Sequence, residues 1–248
     1  MFFPLNFLVR TSCIICGEIP HNDMGICPTC ESELPFLNNC CSRCAEPISP
    51  FVDLCSHCLE IKIPNLITKA VFHYSFPIER LIKRLKFGQG LREAKVLGEL
   101  MAKYLYSEYG TNEKPEMLLP IPLHAARLRE RGYNQALELS IPIAKKFEIP
   151  IGRFNVIRTI NTQAQAKLAA KDRGKNTRGA FSLKHEINAK HIAIIDDVIT
   201  TGSTVFELAR LLHNHGINQI KIWCCAKALS FNATPKKIES IKNAFILK

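Results

Sequence analysis

Apolar and polar positions along the chain fall into a few separable patterns, and each predicts an element. Ile192, Ala193, Ile194 and Ile195 form a continuously apolar run, as expected of a strand buried on both faces of a parallel sheet. Two aspartates follow, then a turn rich in hydroxyls around Gly202. Val205 to Leu212 (VFELARLL) then carries apolar residues at helical spacing. The stretch reads strand, tight loop, helix. Met117 to Leu123 (MLLPIPL) predicts a second strand, running into a helix from about Tyr133, and IKIWCCAKAL predicts a third with Cys224 and Cys225 in the core. From Phe76, FPIERLIKRLKFGQG sets Ile78, Leu81, Ile82 and Leu85 on one helical face and Arg80, Lys83, Arg84 and Lys86 elsewhere. That is a basic amphipathic helix whose charged positions read as solvated. Ile238, Ile241 and Phe245 predict a short surface helix in the tail.

The first 60 residues follow another rule. They hold nine of the chain's eleven cysteines, eight of them as C-x-x-C pairs: Cys13 with Cys16, Cys27 with Cys30, Cys41 with Cys44, and Cys55 with Cys58. The second four repeat the first four at a displacement of 28 positions. A two-residue spacer lets both thiolates of a knuckle face one ion, and two knuckles complete a tetrahedral zinc site with Zn–S near ~2.3 Å. Two structural zincs follow, closed sites with no position open for chemistry, in a segment too poor in large apolar residues to fold without them. Redox use of C-x-x-C would call for one pair in a βαβ context instead of four in a loop-rich one. Sequential and interleaved pairing of the knuckles have the same spacing, so both stay open. Cys40 and His57 are surplus to the two sets, and His57 reads as solvent-facing.

Composition divides at the same place. Hydrophobic content of 47% and charged content of 22% suit an ordinary globular chain. Within the net charge of +11, residues 1–60 hold two Arg/Lys against seven Asp/Glu, and residues 61–248 hold 31 against 15. The basic part is suited to a polyanion, either a phosphorylated small molecule or nucleic acid. The opening MFFPLNFLV is short, broken by Pro4 and Asn6, and has no basic n-region; it fails as a signal peptide or membrane span, so a cytoplasmic setting is expected. The predicted organisation is a zinc module over 1–62, an α/β domain over 63–230 and a tail over 231–248.

The chemistry concentrates after Ile195. A small-residue loop opening a helix offers backbone N–H groups and a positive dipole end, so Thr200, Thr201, Gly202, Ser203 and Thr204 suit a phosphate. Asp196 and Asp197 cannot serve that phosphate. As neighbours on a strand they point to opposite faces, which suits sugar hydroxyls or a water-bridged Mg²⁺ better than a paired acid and base. Together the two parts describe a ribose 5-phosphate site. Neither G-x-x-x-x-G-K-[ST] nor G-x-G-x-x-G occurs. Arg127, Arg129 and Arg131 gather at the other strand-to-helix junction, where guanidinium forks suit phosphate oxygens.

Four apolar residues, two acids and T-T-G-x-T resemble the phosphoribosyl pyrophosphate (PRPP) motif of type I phosphoribosyltransferases. With P-L-x₃-R-x-R-x-R-G-Y-N-Q from Pro122, the LKF at Leu85 to Phe87, the cysteine module, and R-T, T-Q-A-Q, D-R and G-A-F between Arg158 and Phe181, the chain up to about residue 230 resembles the ComF/GntX group. The resemblance implies a type I phosphoribosyltransferase-like parallel sheet flanked by helices, with a small N-terminal Cys₄ zinc-ribbon module. It implies a glycosyltransferase using Mg²⁺, with PRPP on Asp196, Asp197, Thr200 to Thr204, Arg127 and Arg129, and with Asp196, Asp197 and Arg131 in the catalytic role. The basic stretch Arg158 to Arg178 would close over the pyrophosphate, or else be a linker. Association of the group with natural competence, transformation and DNA uptake adds single-stranded DNA and a competence helicase or other DNA-uptake proteins as partners. In a DNA-binding reading PRPP is a regulatory ligand and Phe87 and Tyr133 stack on bases; otherwise both aromatics belong to the core, the reading favoured here.

Overall fold

The computed structural model describes residues 12–19, 24–60, 63–88, 90–111, 113–160 and 179–229. The expected tail helix and the stretch 161–178 lie outside them, as do residues 61–62 and 230 at the expected domain limits.

Alternation of apolar residues builds a parallel sheet with two buried faces. Its strands are β1 (Leu66–His73), β2 (Met117–Pro120), β5 (His191–Ile199) and β6 (Gln219–Lys227), in the order β1-β6-β5-β2. Along β5, Ala193 and Ile195 face one core, and Ile192 and Ile194 the other; along β6, Trp223 and Cys225 face the first, and Ile222 and Cys224 the second. Helices α2 (Ile78–Phe87), α3 (Leu91–Tyr109) and α5 (Gln135–Phe147) cover the first face. Helix α6 (Ser203–Asn214) and the antiparallel hairpin of β3 (Val156–Arg158) and β4 (Phe181–Leu183) cover the second. All four predicted apolar positions of α2 are buried, as are Cys224 and Cys225. The strand predicted at Ile192 to Ile195 runs on through both aspartates to Ile199. No helix among the described residues is long and apolar enough to cross a membrane.

Both ends of the sheet are closed. Ile151 bridges Leu118 beyond β2, and Phe36 bridges Phe72 beyond β1. That second contact belongs to the zinc module. Leu37 N–H donates to Val71 O at 2.9 Å and Thr68 N–H to Ser42 O at 2.7 Å, so the module supplies the ladder partners that edge strand β1 would otherwise lack. Its first half, with Ile26, Cys27 and Leu34, joins the core under α2 and α3. Its second half, with Leu37, Cys41 and Cys58, joins the core on the α6 side. The module straddles the sheet edge.

The knuckles pair in sequence. The four sulfurs of Cys13, Cys16, Cys27 and Cys30 lie within 4.8 Å of one another, and so do those of Cys41, Cys44, Cys55 and Cys58. A tetrahedron with ~2.3 Å metal–sulfur bonds has sulfur edges of ~3.8 Å. Cys16 and Cys27 lie 3.8 Å apart and Cys44 and Cys55 3.7 Å, so both sets fit zinc and neither forms a disulfide. The repeat is geometric as well as sequential: Cys27 N–H points at Cys13 Sγ (3.4 Å) as Cys55 N–H points at Cys41 Sγ (3.3 Å). Each first knuckle closes on a positive φ, at Gly17 in one site and at Ala45 in the other. Helix α1 (Pro28–Ser32) and a 3-10 turn at Ser56–Glu60 carry the last cysteines. His57 is exposed, as expected.

Metal analysis of the purified chain is expected to give two zinc ions. Cys16→Ser or Cys44→Ser should each remove one and leave the other, because no cysteine is shared; loss of both ions from one substitution would contradict sequential pairing.

Candidate functional site

The carboxyl ends of the parallel strands converge on a cleft of about 920 Å³, with Tyr74 following β1, Ile121 and Leu123 following β2, and Asp196 and Asp197 on β5 in its wall. Ligands of open α/β sheets bind at this end. Asp196 and Asp197 take opposite faces, as strand geometry requires. Each is anchored by the next residue: Asp197 N–H donates to Asp196 Oδ1 and Val198 N–H to Asp197 Oδ1, both at 2.9 Å. The other oxygen of Asp197 lies 2.8 Å from Lys86 Nζ. It keeps acceptor capacity for a hydroxyl or a bound water.

Lys86 corrects an expectation. The basic positions of α2 were expected to be solvated, but Lys86 is half-buried against Asp197 and lines the cleft. Burial pulls its ammonium down, and the charges of Asp197 and then Asp196 more than offset this, leaving its pKa above the ordinary value. Burial pushes the Asp196 carboxyl up, and the neighbouring Asp197 charge adds to it against the pull of Lys86, to about 8. Phe87 is a second correction. It falls off the stripe of Ile78, Leu81, Ile82 and Leu85, so it stands 82% exposed instead of in the core, with the Arg131 guanidinium 5.7 Å from its ring centre. Tyr133 packs against the core as expected, its one hydroxyl proton donated to Leu85 O, with Gly88 O at the end of α2 a further acceptor 3.1 Å away.

The arginines do not converge as a trio. They lie on a short helix, α4 (Ala125–Arg131), where residues four apart share a face and residues two apart do not. Arg127 and Arg131 line the cleft; Arg129 is exposed and does not. Gly132 ends α4 at φ +85°, and Asn134 caps α5, accepting from Ala136 N–H at 3.0 Å while donating to Ile121 O at 2.9 Å. The R-G-Y-N-Q string therefore turns the chain from one helix to the next across the cleft. It also delivers Gln135, 5% exposed, with an Oε1 that has no partner among the described residues.

The third guanidinium comes from elsewhere. Arg158, at the end of β3, lines the cleft beside Phe181. Burial lowers the pKa of both Arg158 and Arg131, and the charge of Arg127 lowers each further. Cations that oppose one another in this way are relieved by an anion between them.

At the far side, Gly202 adopts φ +80° ahead of α6, and an added Cβ would meet the Phe206 ring at 2.5 Å. Only glycine fits there. Thr201 Oγ1 and Ser203 Oγ lie 2.8 Å apart, and Thr201 Oγ1 also accepts from Ser203 N–H at 3.4 Å. Thr204 lines the cleft, whereas Thr200, Thr201, Gly202 and Ser203 do not, and Thr200 and Thr201 are exposed. The loop thus combines a positive-φ glycine with paired hydroxyls, and its Thr204 shares the cleft with two acids and three guanidiniums.

Sheet, cleft and cysteine sites together define a phosphoribosyltransferase-like domain carrying a double zinc ribbon. Family models agree, with residues 92–243 matching the phosphoribosyl transferase domain and residues 4–59 the double zinc ribbon domain. The chain is 33% identical to Competence protein F of Haemophilus influenzae over 222 residues, covering 87% of this chain and 96% of the relative. It is 31% identical to DNA utilization protein YhgH of Escherichia coli strain K12, covering 88% and 90%. Competence protein ComFC of Streptococcus pneumoniae matches at 22%, covering 84% and 96%. The chain belongs to the ComF family.

A carboxyl whose pKa is raised by folding stabilises the protein only while it stays protonated, so this contribution is lost as pH rises through about 8. Asp196→Asn is permanently neutral. Its melting temperature should exceed that of the wild type by a margin that widens between about pH 5 and about pH 8.5. A margin independent of pH would show that Asp196 ionises freely.

Proposed function

We propose that the cleft binds PRPP and that the chain is a phosphoribosyltransferase assisting DNA uptake in the cytoplasm. The observation that carries this reading is the placement of Asp196 and Asp197 between a glycine-gated hydroxyl loop and the guanidiniums of Arg127, Arg131 and Arg158. In this reading the 5′-phosphate lies on Thr200 to Thr204 and the ribose hydroxyls donate to the two aspartates. The pyrophosphate lies among the three arginines. Its departure leaves positive character at the anomeric carbon, so the site must neutralise a leaving group more than it must supply a strong base. Arg127, Arg131 and Arg158 do this, and Lys86 is paired with Asp197 at 2.8 Å. The carboxylates of Asp196, Asp197 and Glu130 fit a Mg²⁺ held through water and the diphosphate, and that ion would add to the charge neutralisation. The names of the relatives support a role in handling DNA.

A second reading, single-stranded DNA binding with PRPP as a regulatory ligand, is favoured by one feature. Phe87 stands 82% exposed at the rim of the basic cleft, as a stacking aromatic would.

Calorimetric titration of PRPP with Mg²⁺ into the zinc-loaded chain should show micromolar binding that Asp196→Ala with Asp197→Ala abolishes. Arg127→Ala, Arg131→Ala or Arg158→Ala should each weaken it by about tenfold or more, whereas Arg129→Ala leaves it unchanged. A folded wild type that binds no PRPP would end the first reading. Salt-sensitive binding of single-stranded DNA, reduced by Phe87→Ala, would support the second.

A further inference from the structure

We propose that Lys227 is a positioning residue that ties the phosphate loop to the second zinc ribbon and sets the orientation of the loop's first peptide. The inference rests on reading Thr200 to Thr204 as the loop for the 5′-phosphate.

Lys227 ends β6 and is 2% exposed. An ammonium carries three protons and accepts nothing, and this one has three acceptors. Thr200 O lies 2.7 Å from Nζ, Ala228 O 2.8 Å and Glu46 Oε2 2.8 Å. Each acceptor belongs to a different part of the molecule. Ala228 is registered on the sheet, since its N–H donates to Ile199 O at 2.9 Å. Glu46 follows the Cys41–Cys44 knuckle, and its carbonyl accepts from Cys41 N–H at 2.8 Å, so its carboxylate is held where the zinc ribbon puts it. Thr200 opens the loop. Sheet, ribbon and loop therefore meet at one nitrogen.

The loop has little else to hold this peptide. Thr200 and Thr201 are exposed, and Gly202 has no side chain. In a trans peptide the C=O and the next N–H point in opposite directions. Drawing the Thr200 carbonyl inward to Lys227 turns the Thr201 N–H outward, where an anion can meet it. A flip of the same peptide would present the carbonyl oxygen to the phosphate and repel it. Lys227 holds the donor orientation, and Glu46, 2.8 Å away, holds the ammonium in place.

The test compares ribose 5-phosphate, which reads the loop, with Mg²⁺-pyrophosphate, which reads the arginines. Both are titrated into the zinc-loaded full chain as wild type, Lys227→Met and Glu46→Gln, with zinc content checked for each and amide hydrogen exchange followed across Thr200 to Thr204. Lys227→Met is expected to weaken ribose 5-phosphate by about tenfold or more, to leave pyrophosphate within about twofold, and to speed exchange in the loop. Glu46→Gln, which keeps the shape and removes the charge, should shift both loop readouts in the same direction by less; it also carries the test if Lys227→Met does not fold. Unchanged ribose 5-phosphate affinity in the folded variants, or equal weakening of both ligands, overturns the proposal. A wild type that binds neither ligand would instead defeat the PRPP reading, and unaltered loop exchange in the variants would then reject the positioning role by itself.

Discussion

An open parallel sheet exposes the backbone groups of its edge strands and buries both of its faces only if something covers each. Here β1 is an edge strand, and the double zinc ribbon covers it. The ribbon bonds to β1 through Leu37, Ser42 and Phe36 and sends one zinc site toward each face. A polypeptide of this length with so few large apolar residues has little core of its own. Metal binding makes it rigid, and its rigidity then passes to the strand it borders. The two parts of the chain, acidic and basic, thus share their cores instead of standing side by side. The first zinc site packs against α3, where Arg92 donates to Ser12 O and Lys103 pairs with Glu31. The second lies near the loop after β5.

This arrangement explains how a site of opposed charges can exist. Five cations, Lys83, Lys86, Arg127, Arg131 and Arg158, face Asp196, Asp197 and Glu130 across one cleft. Neighbouring like charges disfavour one another, on the acidic side between Asp196 and Asp197 and on the basic side among the arginines. Such groups stay in place only where the surrounding structure leaves them no alternative. The aspartates are fixed because β5 is buried on both faces and each carboxylate is bonded to the next backbone N–H. The arginines come from α4 and from β3, elements packed against different parts of the domain, so they cannot move apart together.

Strands β2, β5 and β6 and the loop after β5 were legible in the sequence because burial on both faces leaves an unbroken apolar run, and because a glycine between hydroxyls has few other uses; β1, β3 and β4, whose apolar runs are broken or short, were not. The eight cysteines were legible from spacing, but their pairing was not, since C-x₂-C-x₁₀-C-x₂-C repeats identically either way and only the path of the chain chooses. Arg129 was drawn into the site by an R-x-R-x-R string that reads as a cluster only if the chain is extended; a seven-residue helix turns it outward. Arg158 and Arg127 lie 31 positions apart, and no periodicity links them. Lys86 and Lys227 were hidden for a related reason. A lysine on a basic helix reads as solvated and a lysine in an apolar strand reads as anomalous, and what each touches is set by elements far away in sequence.

Lys86 bears on how the acids are used. A ligand-free cleft with two adjacent carboxylates would hold one of them protonated, and a protonated carboxyl is a poorer acceptor for a sugar hydroxyl. The ammonium lies 2.8 Å from Asp197, and the cost of burial and of the neighbouring like charge falls on Asp196, whose pKa rises to about 8. In the reading proposed above, a cation arriving with the anionic ligand would lower the cost of ionising Asp196, which would couple the binding of the two.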